Sequence, residues 1–454
     1  MKKEELYKKV PSVFKKSLSL IPKKILFGKN YSRYLKLIED TENFNDEQKL
    51  VFQTNKLREI SIEAYYYTNF WKEIFDKSNV KPENIELEDL KKMPLINSET
   101  IKLNYEKMIS KRYINKGYWV TTGGTGRNPT PIFLSNESFG IEWAFMVNQW
   151  KRIGFNWKDK KITFRGKNLG DKLVKPVYPY NELLVNVFKL TESNIMEITQ
   201  EILKFNARFF HGYLSSIYLF AKLLESKNIE GNVFNLKGIM LGSENIDEEK
   251  RRFVEQYFNT KTYSWYGHTE KGILAGECEI NRSYHSFFQY GFFDLLNENG
   301  FWTSSGEVIT TGFVNKAMPL INYKTGDYAI TDKSKCECGR NYTLIKKVIG
   351  RWGNDFVYDK NQNKVSTTAL NIHIENQKDI LNLQIIQKHL GEVEIAFSLI
   401  KIDNKKQIEE AIKKEFSSKL GKNFIVKTRF VEDNKIYRTK TGKVPYLVSY
   451  IKEN

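Results

Sequence analysis

Beyond the first forty residues, apolar positions recur at helical spacing up to about Lys92, a pattern that predicts a run of helices. Pro11 and Pro22 break any single long helix at the very beginning. Tyr118-Trp-Val-Thr-Thr122 then predicts a strand entering a glycine loop, and Glu137 to Trp150 an amphipathic helix beyond it. Strands follow near Lys161 to Arg165, Gly238 to Gly242 and Lys261 to Trp265. Helices come near Ser193 to Phe205, Leu214 to Ser226 and Asp247 to Phe258. Alternation of this kind predicts an α/β fold with a largely parallel sheet. From Phe287 to Thr331, short strands separated by Asn297-Glu-Asn-Gly300 and Thr303-Ser-Ser-Gly306 predict an antiparallel β subdomain. After Gly350-Arg-Trp-Gly-Asn-Asp355, a presumed linker, the pattern reads strand, helix, strand, helix, strand. The expected organisation is an N-terminal arm over 1–40, a large α/β domain of several subdomains over 41–350, and a small mobile α+β domain over 351–454. No internal repeat is visible.

Composition narrows the class. The chain has 454 residues, 41% hydrophobic and 28% charged, the balance of a folded globular protein. Apolar runs such as Phe209 to Ala221 are too short and too interrupted to cross a bilayer. Three cysteines cannot build a disulfide framework, and no signal-like leader is present, so the expected location is the cytoplasm. The net charge of +18 attracts nucleic acid, anionic lipid or polyphosphate alike. Most of the bases are lysines scattered beside glutamates rather than clustered arginine forks, so no specific nucleic-acid partner is expected. Residues 1–40 hold eleven basic and four acidic residues, with Val13, Phe14, Leu18, Leu20, Ile21, Ile25, Leu26 and Phe27 between them. That mixture suits an arm resting on an anionic membrane at the inner face. The more ordinary reading is an arm whose apolar residues dock on the first domain.

The sharpest chemical signal is Thr121-Thr-Gly-Gly-Thr-Gly-Arg-Asn-Pro129, between a predicted strand and helix. Its glycines let backbone amides approach a phosphate, and its hydroxyls add donors. It is neither a Walker A loop, lacking Gly-Lys-Ser/Thr, nor a dinucleotide fingerprint, since Pro129 stands where a third glycine belongs. Tyr263-Ser-Trp-Tyr-Gly-His-Thr-Glu270 ends a strand with the parts that stack a base and hold magnesium. Asn322-Tyr-Lys-Thr-Gly-Asp327 places a carboxylate at a turn, where it can accept from ribose hydroxyls. Arg438-Thr-Lys-Thr-Gly-Lys443 gives the last domain a lysine beyond a glycine turn.

In order and spacing these blocks, with Phe210-His-Gly-Tyr-Leu-Ser-Ser216, Leu241-Gly-Ser-Glu244 and Gly350-Arg351, resemble the adenylate-forming enzymes: acyl-CoA synthetases, peptide-synthetase adenylation domains and luciferase. Within that superfamily the likeness is greatest to the phenylacetate-CoA ligase family, including its branch in capsular and cell-surface polysaccharide gene clusters. The resemblance covers most of the chain, from about Ile60 onward, and makes the large domain an ATP-binding adenylation domain. It implies that Thr121, Thr122, Gly123, Gly124, Thr125 and Gly126 wrap the ATP phosphates, with Thr122 also catalytic. Ser243, Gly267 and Thr269 fall within the nucleotide-binding blocks. It further implies that Glu244 lies near the adenine, Tyr266 stacks on it, Glu270 binds Mg²⁺, Asp327 holds the ribose, Arg351 sits at the hinge and Lys443 is the mobile catalytic lysine. Arg127-Asn128 depart from the usual lysine-proline after the last loop glycine, and Trp352-Gly-Asn354-Asp355 from the usual acidic hinge pair.

The implied activity joins a carboxylic acid and Mg·ATP into an acyl-adenylate, then passes the acyl group to the thiol of CoA or to an amine, with a glycan-linked acceptor as one option. A nucleotidyltransferase that leaves AMP on its acceptor, or a non-catalytic binder of ATP or nucleic acid, are the alternatives. All three cysteines, Cys278, Cys336 and Cys338, together with His285, make a Cys3His set of tetrahedral count, expected to hold a structural Zn²⁺. His211 and His268 lie inside matching blocks and are expected to be packed histidines. Phe139, Trp143, Phe145 and Trp150 read as a core stripe rather than a substrate wall.

Overall fold

In the computed structural model, the residues described are 10, 15–121, 130–166, 169–244, 246–332, 334–349, 356–366, 374, 379–399, 402–438 and 444–451. The arm ends in α1 (Lys23–Phe27) and α2 (Lys29–Thr41), with Pro22 at the N-cap of α1. Three more helices follow: α3 (Asp46–Tyr67), α4 (Asn69–Ser78) and α5 (Ser98–Asn104). Their starts are written in the sequence. Asn45 and Gln48 form a reciprocal capping box on α3, and Thr68 caps α4 through the Trp71 amide. These helices share a core with the antiparallel ribbon of β1 (Gly117–Thr121) and β2 (Pro131–Ser135), the latter absent from the sequence reading.

Helix α6 (Ser138–Lys151) was expected to be amphipathic and is instead buried on nearly every face. Phe145, Met146 and Trp150 lie between Phe209 and Met240 of one sheet and Leu274 and Phe287 of another, while Val147 and Ala144 meet Phe27 and Tyr31 of the arm. A helix surrounded in this way needs apolar residues all round, which erases the polar stripe. Phe145 and Trp150 of the aromatic stripe are core, as read; Trp143 is partly buried and Phe139 exposed, both packed against Phe27 of the arm.

The central sheet has order β4 (Val174–Val177), β5 (Glu182–Val185), β3 (Lys161–Phe164), β6 (Phe209–Gly212), β7 (Gly238–Leu241), β8 (Thr262–Tyr263). All neighbours are parallel except the edge pair β4–β5. Its inner strands are buried throughout, the mark of a sheet covered on both faces. Helices α7 (Ile195–Phe205), α8 (Leu214–Ser226) and α9 (Glu248–Tyr257) cover one face, and α6 packs on the other against Phe209 and Met240.

The stretch read as one strand from Lys261 to Trp265 is split. β8 closes the parallel sheet, and after Ser264 the chain enters β9 (Trp265–Gly267) of a second sheet. A buried fork fixes the crossing: both terminal nitrogens of Arg251 donate to Glu277 at 2.8 Å, its Nε donates to Thr262, and Glu277 accepts from the Ser264 amide. The second sheet is wholly antiparallel and larger than expected. Besides β9 it contains β10 (Leu274–Glu277), β11 (Tyr284–Ser286), β12 (Gly291–Leu296), β13 (Ser305–Gly312), β14 (Tyr323–Asp332) and β15 (Thr343–Ile349), in the order 12-13-14-15-11-10-9.

From residue 356 onward the chain forms a hairpin, β16 (Phe356–Tyr358) and β17 (Lys364–Ser366). A mixed sheet follows: β18 (Ile380–His389), β19 (Glu392–Leu399), β20 (Ile425–Phe430) and β21 (Leu447–Ser449), in the order 20-19-18-21. Helix α10 (Lys405–Leu420) crosses between the parallel strands β19 and β20. The α+β class holds. The expected strict alternation does not, because β18 and β19 join as an antiparallel hairpin with no helix between them. No helix among the described residues is long and apolar enough to cross a membrane.

Candidate functional site

In an open parallel sheet, groups following the strands gather beyond their carboxyl ends. Here Arg165 follows β3, Tyr213 follows β6, and Gly242-Ser243-Glu244 follow β7. One terminal nitrogen of Arg165 donates to Ser243 Oγ at 3.2 Å, and its guanidinium lies 6.0 Å from the Tyr213 ring centroid. Its Nε is buried without a hydrogen bond. Burial holds this guanidinium below its ordinary pKa, so an incoming anion is its natural complement. Glu244 accepts from both the amide (3.1 Å) and hydroxyl (2.7 Å) of Ser215 at the start of α8. Gly242 is required by close approach: a Cβ there would lie 2.1 Å from the indole Nε1 of Trp265.

The antiparallel sheet brings a second group of side chains. The Tyr266 hydroxyl, on β9, donates to Asp327 Oδ2 on β14 at 2.9 Å. Burial first, and the Asp327 carboxylate next, push the Tyr266 phenol well above its usual pKa, so it remains a donor. Glu270 is almost fully buried. Its Oε1 accepts from the Tyr323 hydroxyl at 2.9 Å, while its Oε2 lies 3.6 Å from His268 Nδ1 and accepts no hydrogen bond. A buried carboxylate oxygen left over in this way suits a hard divalent cation. The next residue, Lys271, pairs with Glu142 of α6. Gly267 ends β9 and Thr269 is partly exposed beside Glu270. His211 is buried on β6 against Trp150, with ring centroids 5.1 Å apart.

Of the residues singled out in the sequence, Ser243 and Glu244 thus follow β7 of the parallel sheet, while Tyr266, Gly267, Thr269, Glu270 and Asp327 lie on or beside β9 and β14 of the antiparallel sheet, and the two sheets meet where Trp265 packs on Gly242. Thr121 is the last residue of β1. Thr122, Gly123, Gly124, Thr125, Gly126, Arg351 and Lys443 lie outside the described residues. Sequence reading missed Arg165, which it counted as the end of a strand. The available signal was a lone arginine directly after the short stretch Lys161-Ile-Thr-Phe164 of the predicted strand.

Cys278, His285, Cys336 and Cys338 converge at one end of the antiparallel sheet, their ligand atoms all within 4.8 Å of one another. Cys278 and His285 flank the β10–β11 turn. Cys336 and Cys338 lie in the connection from β14 to β15. Sγ of Cys278 is 3.6 Å from Sγ of Cys336, and Cys338 Sγ is 3.6 Å from His285 Nε2. Backbone and side-chain N–H groups face the sulfurs: the Ile280 amide to Cys278 at 3.4 Å and Asn281 Nδ2 to Cys336 at 3.3 Å. Arg340, paired with Glu279 at 2.5 Å, stands 3.8 Å from Cys278 Sγ. Such donors favour thiolates, and the arginine offsets the charge of a three-thiolate site. Burial, with Arg152 and Arg340 beside it, pushes His285 down to about 3, leaving the neutral imidazole a metal needs. Burial also pushes the Cys336 thiol up to about 12, so ionisation there calls for a cation. The donor set fits a closed tetrahedral site.

Comparison with known proteins agrees with this architecture. Residues 357–450 match the family model of the CapK C-terminal domain. Across 98% of this chain and 99% of the relative, the sequence is 24% identical to Protein CapK of Staphylococcus aureus. Across 79% and 82% respectively, it is 20% identical to phenylacetate-coenzyme A ligase of Thermus thermophilus. Among solved structures it is similar to 2-hydroxyisobutyryl-CoA ligase in the postadenylation state in complex with R3-HIB-AMP. The TM-score is 0.67 at 12% identity, covering 90% of this chain and 91% of that one. An open conformation of the same ligase, in complex with 2-HIB-AMP and CoA, gives a TM-score of 0.58 at 12% identity over 90% and 93%.

Proposed function

We infer, for a chain with the fold of the adenylate-forming ligases and a CapK C-terminal domain, that it is an AMP-forming ligase acting on a carboxylic acid. The observation that carries this reading is the buried Glu270 with its spare oxygen, one turn of chain from the Tyr266–Asp327 pair.

In the first half-reaction a substrate carboxylate attacks the α-phosphorus of ATP and pyrophosphate leaves. Two anions must meet, so the site has to supply positive charge. Mg²⁺ entering with the nucleotide lowers that repulsion. Among the chain's own residues, Glu270 Oε2 is the oxygen that holds the ion, and Arg165 beside Ser243 offers a guanidinium to a carboxylate or phosphate. Asp327, oriented by Tyr266, accepts from the ribose. The Thr121–Gly126 segment wraps the phosphates, and Lys443 neutralises charge as pyrophosphate departs. Arg351 opens the hinge that brings the lysine in and takes it out.

The acyl group then passes to CoA or an amine, and a glycan-linked acceptor in surface polysaccharide synthesis is the biological setting we favour, on the resemblance to the polysaccharide-cluster branch. The Cys3His cluster holds a structural zinc, since four protein ligands leave no open position. The protein works in the cytoplasm, with its basic arm near anionic lipid. In support, Leu20 and Ile25 stand 82% and 67% exposed beside the arm's lysines, while Leu26 and Phe27 dock inward. Loss of residues 1–28 leaving vesicle binding unchanged would dismiss the membrane contact.

Pyrophosphate–ATP exchange with magnesium over phenylacetate, octanoate, glycine and glucuronate tests the reaction. Exchange dependent on one acid is expected. AMP retained on an acceptor, detected by product mass, would replace acyl transfer with nucleotidyl transfer.

A further inference from the structure

Two arginines of this molecule are held in opposite ways. Arg251 is saturated: its fork lies on both oxygens of Glu277, and its Nε and one terminal nitrogen donate to Thr262. Arg165 has a single hydrogen bond, from a terminal nitrogen to the neutral Ser243 hydroxyl at 3.2 Å, and a buried Nε with no acceptor. The carboxylates whose charge reaches it are engaged elsewhere. Glu182 accepts from Thr163 at 2.6 Å and lies 3.6 Å from the Lys161 ammonium, while Glu142 pairs with Lys271. Among the described residues, no carboxylate is paired with the Arg165 guanidinium.

The backbone beneath it is fixed. The Tyr213 amide donates to the Phe164 carbonyl at 3.0 Å and the Gly242 amide to the Gly212 carbonyl at 3.2 Å, so the ends of β3, β6 and β7 are stitched together in order. Arg165 reaches across β6 to Ser243, whose backbone is left-handed at φ 66°. Serine adopts that conformation at a cost, and here it brings the hydroxyl to the guanidinium. At the same turn the indole Nε1 of Trp265, packed on Gly242, is a second buried donor without an acceptor. Two buried donors that no described residue satisfies call for a ligand that brings acceptors, and one of the two is charged.

The reaction decides which part of the substrate supplies that charge. A reacting carboxylate gives up its charge on joining the α-phosphorus, so a guanidinium fixed upon it would stabilise the ground state more than the transition state and slow the step. The nucleotide phosphates are served, on the ligase reading, by the cation at Glu270 on the other sheet. The group that suits Arg165 is an anion that keeps its charge throughout, on the part of the acid that does not react.

We propose that Arg165 selects the acid: the substrate carries a second, unreactive anionic group, a carboxylate or a phosphate, which seats on the Arg165 guanidinium beside Ser243. This role rests on the ligase reading given above and narrows it to dianionic acids.

The test measures pyrophosphate–ATP exchange on matched acids that differ in the far group: succinate against monomethyl succinate, glutarate against monomethyl glutarate, and 3-phosphoglycerate against glycerate. The three pairs distinguish a carboxylate from a phosphate. Wild type is expected to prefer one charged acid over its uncharged partner by about 100-fold in kcat/KM, because the uncharged partner leaves a desolvated guanidinium unpaired. Arg165→Gln is expected to bring that ratio within about threefold of one, with the KM for ATP within about twofold of wild type. Arg165→Glu is expected to favour 4-aminobutyrate, which has an ammonium where glutarate has its far carboxylate, an inversion that loss of a structural arginine would not produce. Should that variant fold poorly, Arg165→Lys, which keeps the charge, is expected to retain a preference for the charged acid that Arg165→Gln has lost. Equal use of charged and uncharged partners by wild type overturns the proposal and leaves the ligase reading standing. So does an unaltered ratio in Arg165→Gln, or a rise in the KM for ATP alone, which would put the guanidinium on the nucleotide. No exchange on any acid, these or the four above, overturns the ligase reading and this role with it.

Discussion

Glu270 and Asp327 look alike in sequence and are set apart by their neighbours. Asp327 accepts from a phenol held in its protonated form by burial, whereas Glu270 keeps one buried oxygen with no hydrogen-bond donor. The first arrangement suits an uncharged hydroxylated ligand and the second a cation. Glu270→Gln should therefore lower exchange by at least about 100-fold, since it removes charge where the transition state needs it. Binding of magnesium-free ATP, followed by calorimetry, should stay within about threefold. Tyr266→Phe should raise the KM for ATP by about tenfold, the cost of one hydrogen bond to a charged group, with little change in kcat. Asp327 and Glu270 were identifiable from their motifs. Arg165 was not, because only the parallel sheet brings the end of β3 next to the turn after β7.

Helix α6 shows how an element acquires its character from what surrounds it. Its sequence reads as amphipathic, yet the arm and two sheets enclose it. Gly140 marks the tightest point, where a Cβ would lie 2.0 Å from the Phe27 carbonyl oxygen. Gly140→Ala should displace the arm and cost about 1–3 kcal/mol, read as a lowered denaturation midpoint with an unchanged slope. Phe27→Ala should cost about 3–5 kcal/mol, as for a large aromatic removed from a core. The crossing from β8 to β9 depends likewise on tertiary partners. Around it, burial raises the pKa of Glu255, but bonds from Thr262 and Arg282 outweigh this and hold it below its ordinary value. A carboxylate depressed in the folded state contributes stability that is present above its unfolded pKa, near 4.5, and is lost as pH falls through the folded value. Glu255→Gln should therefore narrow the gap in stability between pH 7 and pH 3, measured by urea unfolding at both.

Among the described residues, the four largest hydrophobic cores divide the work: one beneath the parallel sheet, one among the N-terminal helices and the β1–β2 ribbon, one in the C-terminal sheet and one around α6 between the two larger sheets. The Cys3His cluster closes the far end of the antiparallel sheet, so metal removal should be felt well beyond four residues. Chelation, or Cys336→Ser, should release one zinc per chain by elemental analysis and lower Tm by several degrees. A protein as purified with no bound metal and an unaltered Tm in the variant would leave the cluster as packed thiols. Periodicity along the chain was enough for the α/β class, the order of most helices and strands and the presence of a distinct last domain, because alternation and spacing are local properties of the sequence. The blocks from Leu241 to Glu244, Tyr266 to Glu270 and Tyr323 to Asp327 were legible for the same reason. Only the tertiary structure decided that Ser264 is a change of sheet, that β18 and β19 form a hairpin, and that Gln384 donates to the carbonyls of Tyr437 and Pro445. Each of those rests on a hydrogen bond or a burial between residues far apart in sequence, and no pattern of neighbouring residues encodes such a partner.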